Sequence, residues 1–204
     1  MVTFRRLATK EQLDYYPTSP WATRAFFKYV VYNYNFGNMT CLEPACGEGH
    51  MSKVLKQHFK KVVSSDIADH GYGEQRDFLS DKFDEFDWVI TNAPYNLALE
   101  FTLTALKIAK LGVAMFTRIQ FLEGLLRYNT LIKDNPPAIV APFVERVHLQ
   151  KDKIVKNSGS TTLYCWMVWN QRKYSVWDNT TRLTWIPPCR KKLEKETDYE
   201  MVVC

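Results

Sequence analysis

The feature of this chain that most restricts its fold is an alternation that begins at Met39. A short apolar run at residues 39–42 leads to a helical pattern at 50–59 and a second run at 61–65 (KVVSS). A third run at 88–91 is followed by a helical pattern at 97–110 and a fourth run at 113–117 (VAMFT). Runs this short fit strands, whereas the segments between them repeat apolar residues at helical spacing. Strands alternating with helices build βαβ units, and such units assemble a parallel sheet covered on both faces. The expectation is an α/β chain with a Rossmann-like doubly wound sheet, mostly parallel, closed by an antiparallel final strand. Upstream, residues 22–34 predict a helix with Ala25, Phe26, Tyr29 and Val30 on one face, stopped by Gly37-Asn38. Downstream, 121–133 predict a helix weakened by Gly124. Two last strands are expected at 143–149 and 161–169, paired antiparallel. No repeat or linker divides the 204 residues, which are read as one domain. It comprises a leading segment and helix at 1–38, a core at 39–169 and a tail at 170–204 whose order is left open.

Composition narrows the function without naming it. With 46% hydrophobic and 24% charged residues the chain reads as globular, not disordered. A net charge of +5 permits a polyanionic partner and does not require one. Five cysteines without CxxC spacing and four scattered histidines give no disulfide framework and no metal site. The amino terminus lacks the apolar core of a signal peptide and no apolar run approaches membrane-spanning length, so a cytoplasmic protein with no membrane partner is expected.

Two turns carry the chemistry. In open α/β sheets ligands sit at the carboxyl ends of the strands, and the run at 88–91 ends in Asn92-Ala93-Pro94-Tyr95. The first strand ends in CLEPACGEGH, where Gly47 and Gly49 let a backbone approach a ligand closely before a helix begins. This is no dinucleotide fingerprint, because Ser52 stands where a third glycine would be. Glu43, ahead of the glycines, is wrong for a pyrophosphate and suited to a cationic ligand such as an ammonium. Asp66, at the end of the second strand, is placed to accept hydrogen bonds from ribose hydroxyls. Asp77-Phe78 pairs a carboxylate with an aromatic ring, a combination able to hold an adenine. Each has a plainer alternative: a solvated strand-end carboxylate for Glu43, and a turn with a surface tyrosine for residues 92–95.

Taken in order, EPACGEG, Asp66, Asp77-Phe78 and NAPY resemble the class I S-adenosylmethionine-dependent methyltransferases. Within them the set looks like the amino-methyltransferase branch, whose loop after the fourth strand is Asn/Asp-Pro-Pro-Tyr/Phe. The upstream YPTSPWATRAFF is similar to the Thr-Pro segment of adenine-N6 methyltransferases, and the resemblance to small stand-alone DNA methyltransferases of phages and bacteria spans about residues 14–169. It implies S-adenosyl-L-methionine as cofactor. Gly47 and Gly49 would lie beside its amino acid, with Glu43 facing the ammonium and Pro44 and Cys46 in the same loop. Pro17 and Thr18 would hold its carboxylate end. Asp66 would take the ribose, and Asp77 the adenine amino group, with Ile67 or Phe78 on the ring. The Asn92 side-chain oxygen and the Ala93 carbonyl would accept the N–H bonds of a substrate amine, while Pro94 shapes the turn and Tyr95 stacks on a target base. The family's first proline is Ala93 here, which implies a looser turn.

The partner implied is nucleic acid, DNA first, with Arg118, Lys151, Lys153 and Lys156 as candidate phosphate contacts; oligomeric state is not legible. Methylation of RNA bases or of a glutamine amide, and a donor-binding protein without catalysis, stay open beside adenine N6 in DNA.

Overall fold

Period-two patterning in the apolar runs builds the centre of the molecule. The structure, a computed structural model, describes residues 15–154, 162–170 and 180–199. In β4 (Phe86–Thr91) Trp88 and Ile90 enter one core and Val89 the other. In β5 (Ala109–Arg118) Ala114 and Phe116 alternate in the same way with Val113 and Met115. In β7 (Tyr164–Asn170) Trp166 and Val168 alternate with Met167 and Trp169. All of these side chains are buried, so each strand fills two cores, as a sheet covered on both faces requires. One core packs beneath helix α1 (Pro20–Ala25) and the π-turn Phe26–Val30 that continues it. Helix α2 (His50–Leu55) adds Met51, Val54 and Leu55 to that core. The other packs beneath α3 (Ala98–Ile108), which buries Ala98, Phe101, Thr102 and Ala105 at helical spacing.

The remaining strands are β1 (Thr40–Glu43), β2 (Lys61–Asp66), β3 (Glu74–Gln75), β6 (Ile139–Pro142) and β8 (Arg182–Leu183). Among the described residues they form one sheet in the order β3-β2-β1-β4-β5-β7-β6-β8. Strand β7 runs antiparallel to both of its neighbours, and every other pairing is parallel. This is the doubly wound, mostly parallel sheet with an antiparallel closing strand that the alternation predicts. The chain winds outward from β1 to β3, then returns to lay β4 on the other side of β1. The carboxyl ends of β1 and β4 therefore flank the switch point, where such sheets bind ligands.

Some elements fall elsewhere than expected. The helix expected at 22–34 begins at Pro20, where a ring locked at helical φ and lacking an N–H is suited to a first turn. The strand expected at 143–149 lies instead at Ile139–Pro142. Val140 and Ala141 are the residues that reach the two cores, and Pro142 ends the ladder with β7. Past it, Phe143 is buried while Val144 is largely exposed, and the chain bends away. The helix expected at 121–133 breaks at Gly124, whose φ of +110° is outside the helical range. A 3-10 turn (Ile119–Leu122) precedes it, and α4 (Leu125–Arg127) and a π-turn (Tyr128–Ile132) follow.

The tail is ordered where it is described. Ile186 is fully buried, and Glu145 accepts the N–H groups of Cys189 and Arg190 at 3.0 and 2.9 Å, starting α5 (Arg190–Leu193). Arg24 of α1 grips Asp198 with both guanidinium nitrogens at 2.8 and 2.7 Å.

Candidate active site

Parallel register brings three strand ends to one edge. Glu43 closes β1 opposite Ser64 of β2, Asp66 closes β2, and Thr91 closes β4 beside β1. Between them opens a cavity of about 900 Å³, part of it open to solvent. Its wall includes Pro17, Thr18, Glu43, Pro44, Cys46, Asp66, Ile67, Asp77 and Phe78, together with Asn92, Ala93, Pro94 and Tyr95. Residues as far apart in sequence as Pro17 and Tyr95 are thus gathered on one surface by the sheet.

Glu43 is buried and accepts a hydrogen bond from the Ser52 hydroxyl, which Ser64 Oγ approaches to 2.6 Å. Burial pushes the Glu43 carboxyl well above the usual range; the Ser52 bond pulls it back, and the charge of Asp66 raises it further. Asp66 is held by two backbone N–H groups, Gly47 at 2.9 Å and Ala68 at 3.1 Å, which fix its carboxylate at the end of β2. Asp77 accepts the Leu79 N–H at 2.9 Å in a local turn. Thr18 is buried, and its hydroxyl has no partner among the described residues.

Gly47 and Gly49 do not line the cavity among the described residues; their bare faces meet two tyrosines. A Cβ on Gly47 would stand 2.2 Å from Tyr15 Cε2, and one on Gly49 2.4 Å from Tyr72 Cε1. Both glycines also hold positive φ, +50° and +77°, which L side chains avoid. The Tyr15 hydroxyl accepts the Glu48 N–H at 3.2 Å, and its ring packs on His70 with centroids 4.5 Å apart. Tyr15 thus covers the glycine loop and helps line the cavity.

Asn92 has the most informative geometry. Its Nδ2 donates to the Tyr16 carbonyl at 2.8 Å. A carbonyl can only accept, so the amide nitrogen must face Tyr16 and the oxygen must face away. That oxygen, Oδ1, is buried and has no partner among the described residues. A buried acceptor without a donor costs about 1–3 kcal/mol, so an N–H or O–H brought to this oxygen would be bound favourably. Pro94, at φ −51° and ψ 132°, feeds the 3-10 turn Tyr95–Leu97 and swings Tyr95 to the cavity.

The candidate phosphate contacts lie apart from this wall. Arg118 is stacked over the Tyr95 ring, its guanidinium carbon 3.8 Å from the centroid. Lys151 and Lys153 are exposed on a turn whose Asp152 N–H donates to the Tyr15 carbonyl at 3.0 Å. Lys156 lies outside the described residues. Sequence reasoning missed Tyr15, Tyr16, His50, His70 and Phe101, which also line the cavity. The paired tyrosines before Pro17 were a signal for the first two; nothing in local pattern marks the others.

The residues fit S-adenosylmethionine. Three carboxylates, of Glu43, Asp66 and Asp77, share the cavity with the apolar side chains of Ile67, Phe78 and Phe101, which suits a ligand that joins a cationic amino acid to a nucleoside. The unpartnered Thr18 hydroxyl adds a donor for a carboxylate.

No protein-family model and no curated protein matches the chain in sequence. Solved structures do match. The methyltransferase subunit of a type I restriction-modification system from Streptococcus thermophilus superposes with a TM-score of 0.59 at 12% identity, over 91% of this chain and 50% of that one. Magnesium protoporphyrin IX methyltransferase from Synechocystis PCC 6803, solved with S-adenosylmethionine bound, superposes with a TM-score of 0.52 at 12% identity. That match covers 74% of this chain and 78% of the other. The present chain thus spans half the length of the restriction-modification subunit. At such identity the shared property is the architecture: the chain has the fold of the class I S-adenosylmethionine-dependent methyltransferases.

Proposed function

We propose that the protein is an S-adenosylmethionine-dependent N-methyltransferase whose substrate is an exocyclic amine, N6 of adenine in DNA. The observation that carries this reading is Asn92 in the wall of the cavity, its amide held by the Tyr16 carbonyl and its Oδ1 buried without a partner among the described residues. Bound there, S-adenosylmethionine supplies an electrophilic methyl group on its sulfonium.

An adenine amine is a poor nucleophile because its lone pair is delocalised into the ring. Asn92 Oδ1, with the Ala93 carbonyl beside it in the chain, accepts the two N–H bonds and draws the nitrogen toward tetrahedral geometry. The freed lone pair would attack the methyl group that the donor supplies, the bonding electrons leaving with sulfur and one proton of the methylated amine passing to solvent. Because the Tyr16 carbonyl already holds the amide, the acceptor is oriented before substrate arrives; preorganised dipoles of this kind cost no reorganisation in the transition state. Glu43 faces the ammonium of the donor, Thr18 its carboxylate, Asp66 the ribose and Asp77 the adenine amino group.

The test is incubation of the protein with S-adenosylmethionine and unmethylated duplex DNA, with RNA and a glutamine-containing peptide in parallel. N6-methyladenine found in the digested DNA by mass spectrometry is the expected result. Methyl groups appearing only in RNA or on the peptide amide would move the substrate, and none anywhere, beside an active control enzyme, would overturn the catalytic reading.

A further inference from the structure

Two of the rings around the cavity stand against each other at the acceptor. Tyr16 and Tyr95 both line it, with centroids 5.6 Å apart and planes inclined by 39°. Tyr16 is tied to the acceptor residue itself, since its carbonyl holds the Asn92 amide at 2.8 Å. Tyr95 is braced from elsewhere. Its hydroxyl donates to Tyr164 Oη at 3.2 Å, and Tyr164 in turn stacks on Phe116 with centroids 5.3 Å apart and planes 10° from parallel. The Arg118 guanidinium lies 3.8 Å from the Tyr95 ring centre and is not among the cavity-lining residues, so it backs the ring. One ring is therefore held from several sides, and the other sits just before Pro17 on a segment that lines the cavity.

We propose that Tyr16 is the second jaw of a clamp for a planar aromatic ring, Tyr95 being the first, so that the substrate amine is carried on a nucleobase and not on a peptide side chain. This rests on the reading of Asn92 as the acceptor of that amine. A base between two parallel rings needs a gap of about 3.5 Å on each side, or about 7 Å between the jaws. Tyr16 reaches that separation from 5.6 Å by moving outward roughly 1.5 Å and flattening against the base. The Asn92 amide lies beside both jaws, its Nδ2 bonded to the Tyr16 carbonyl and its position three residues before Tyr95, so a ring so held carries its exocyclic amine toward that residue. A glutamine amide would reach the same oxygen but offers neither jaw a ring to stack on.

The probe is a single-stranded oligonucleotide carrying one 2-aminopurine, whose fluorescence falls when it stacks on aromatic rings, added to protein saturated with S-adenosylhomocysteine. Wild type, Tyr16→Phe and Tyr16→Trp are expected to bind and quench it, and Tyr16→Leu to bind about tenfold more weakly with less quenching. Donor affinity is expected to be unchanged throughout. Equal binding and quenching in Tyr16→Leu and wild type would overturn the clamp. So would a Tyr16→Phe as weak as Tyr16→Leu, which would assign the effect to the hydroxyl. Loss of donor affinity together with probe affinity in Tyr16→Leu would make the ring a donor wall, and would overturn the clamp too. Methyl transfer is measured separately. Transfer to DNA that is identical in wild type and Tyr16→Leu defeats the clamp and leaves the catalytic reading standing. Ring-dependent quenching without any transfer does the reverse.

Discussion

In the proposed reaction Asn92 is the residue on which the chemistry turns, and its neighbours make a sharp demand on its side chain. The nitrogen must donate to Tyr16 and the oxygen must stay free, so neither half of the amide is replaceable. Asn92→Ala is expected to abolish methyl transfer while leaving donor binding within about twofold, since positioned acceptors contribute a hundredfold or more to rate; single-turnover transfer beside calorimetric titration of the donor checks both. Asn92→Asp would set a carboxylate against the Tyr16 carbonyl, and it too should lose rate. Glu43 supports a prediction about pH. Its carboxyl titrates well above the usual range because it is buried, so the folded state binds a proton that the unfolded chain releases. The associated stability is fully present below the ordinary carboxylate value and is lost as pH rises through the raised one. Glu43→Gln, which keeps the size and the partner Ser52, should flatten that decline in denaturant melts recorded from pH 4 to 8. The same variant should weaken the donor, because an ammonium beside Glu43 favours the ionised carboxylate, a state that the amide lacks.

At the scale of elements, the structure works by fitting large rings against bare backbone. Trp88 of β4 lies directly beside Gly112 of β5, and a Cβ on that glycine would stand 2.6 Å from the indole Cη2. Trp88 is 1% exposed and surrounded by the larger core, so it has nowhere to go. Gly112→Ala is expected to destabilise the protein by about 1–3 kcal/mol through overpacking, read as a lower urea midpoint with an unchanged slope. The glycine loop follows the same logic at the site, with Tyr15 over Gly47 and Tyr72 over Gly49. Periodicity revealed these strands and helices but not these pairs. The GEG pattern was legible as a place for close approach, yet what approaches there is tyrosine from two other segments. The break at Gly124 was legible as a weak point, and its positive φ is the reason. The strand at 139–142 was hidden because prolines at 136, 137 and 142 crowd a four-residue element, which leaves too few residues to display an alternation.

For the whole molecule, a donor that binds only the folded state must stabilise it. S-adenosylmethionine at a hundred times its dissociation constant is expected to add about 2.7 kcal/mol, and a thermal shift that saturates with donor checks it; no shift would remove the donor from this cavity. A nucleic-acid substrate would be held through its phosphates, so its affinity should fall steeply with salt, where a peptide would respond weakly. What the sequence by itself determined is local. Short apolar runs of period two and segments of period 3.6 specify strands and helices, their alternation specifies a parallel sheet, and the turn residues at 43–49, 66, 77–78 and 92–95 mark the edge at which the cavity opens. Each of these signals is complete within a window of a dozen residues. The tertiary structure alone decided the contacts that cross such windows. Tyr16 orients Asn92 from 76 positions away, and Arg24 holds Asp198 from 174. A periodic pattern records which face of an element is buried, not which distant segment will cover it, and the choice of partner is made only when the sheet has brought both surfaces together.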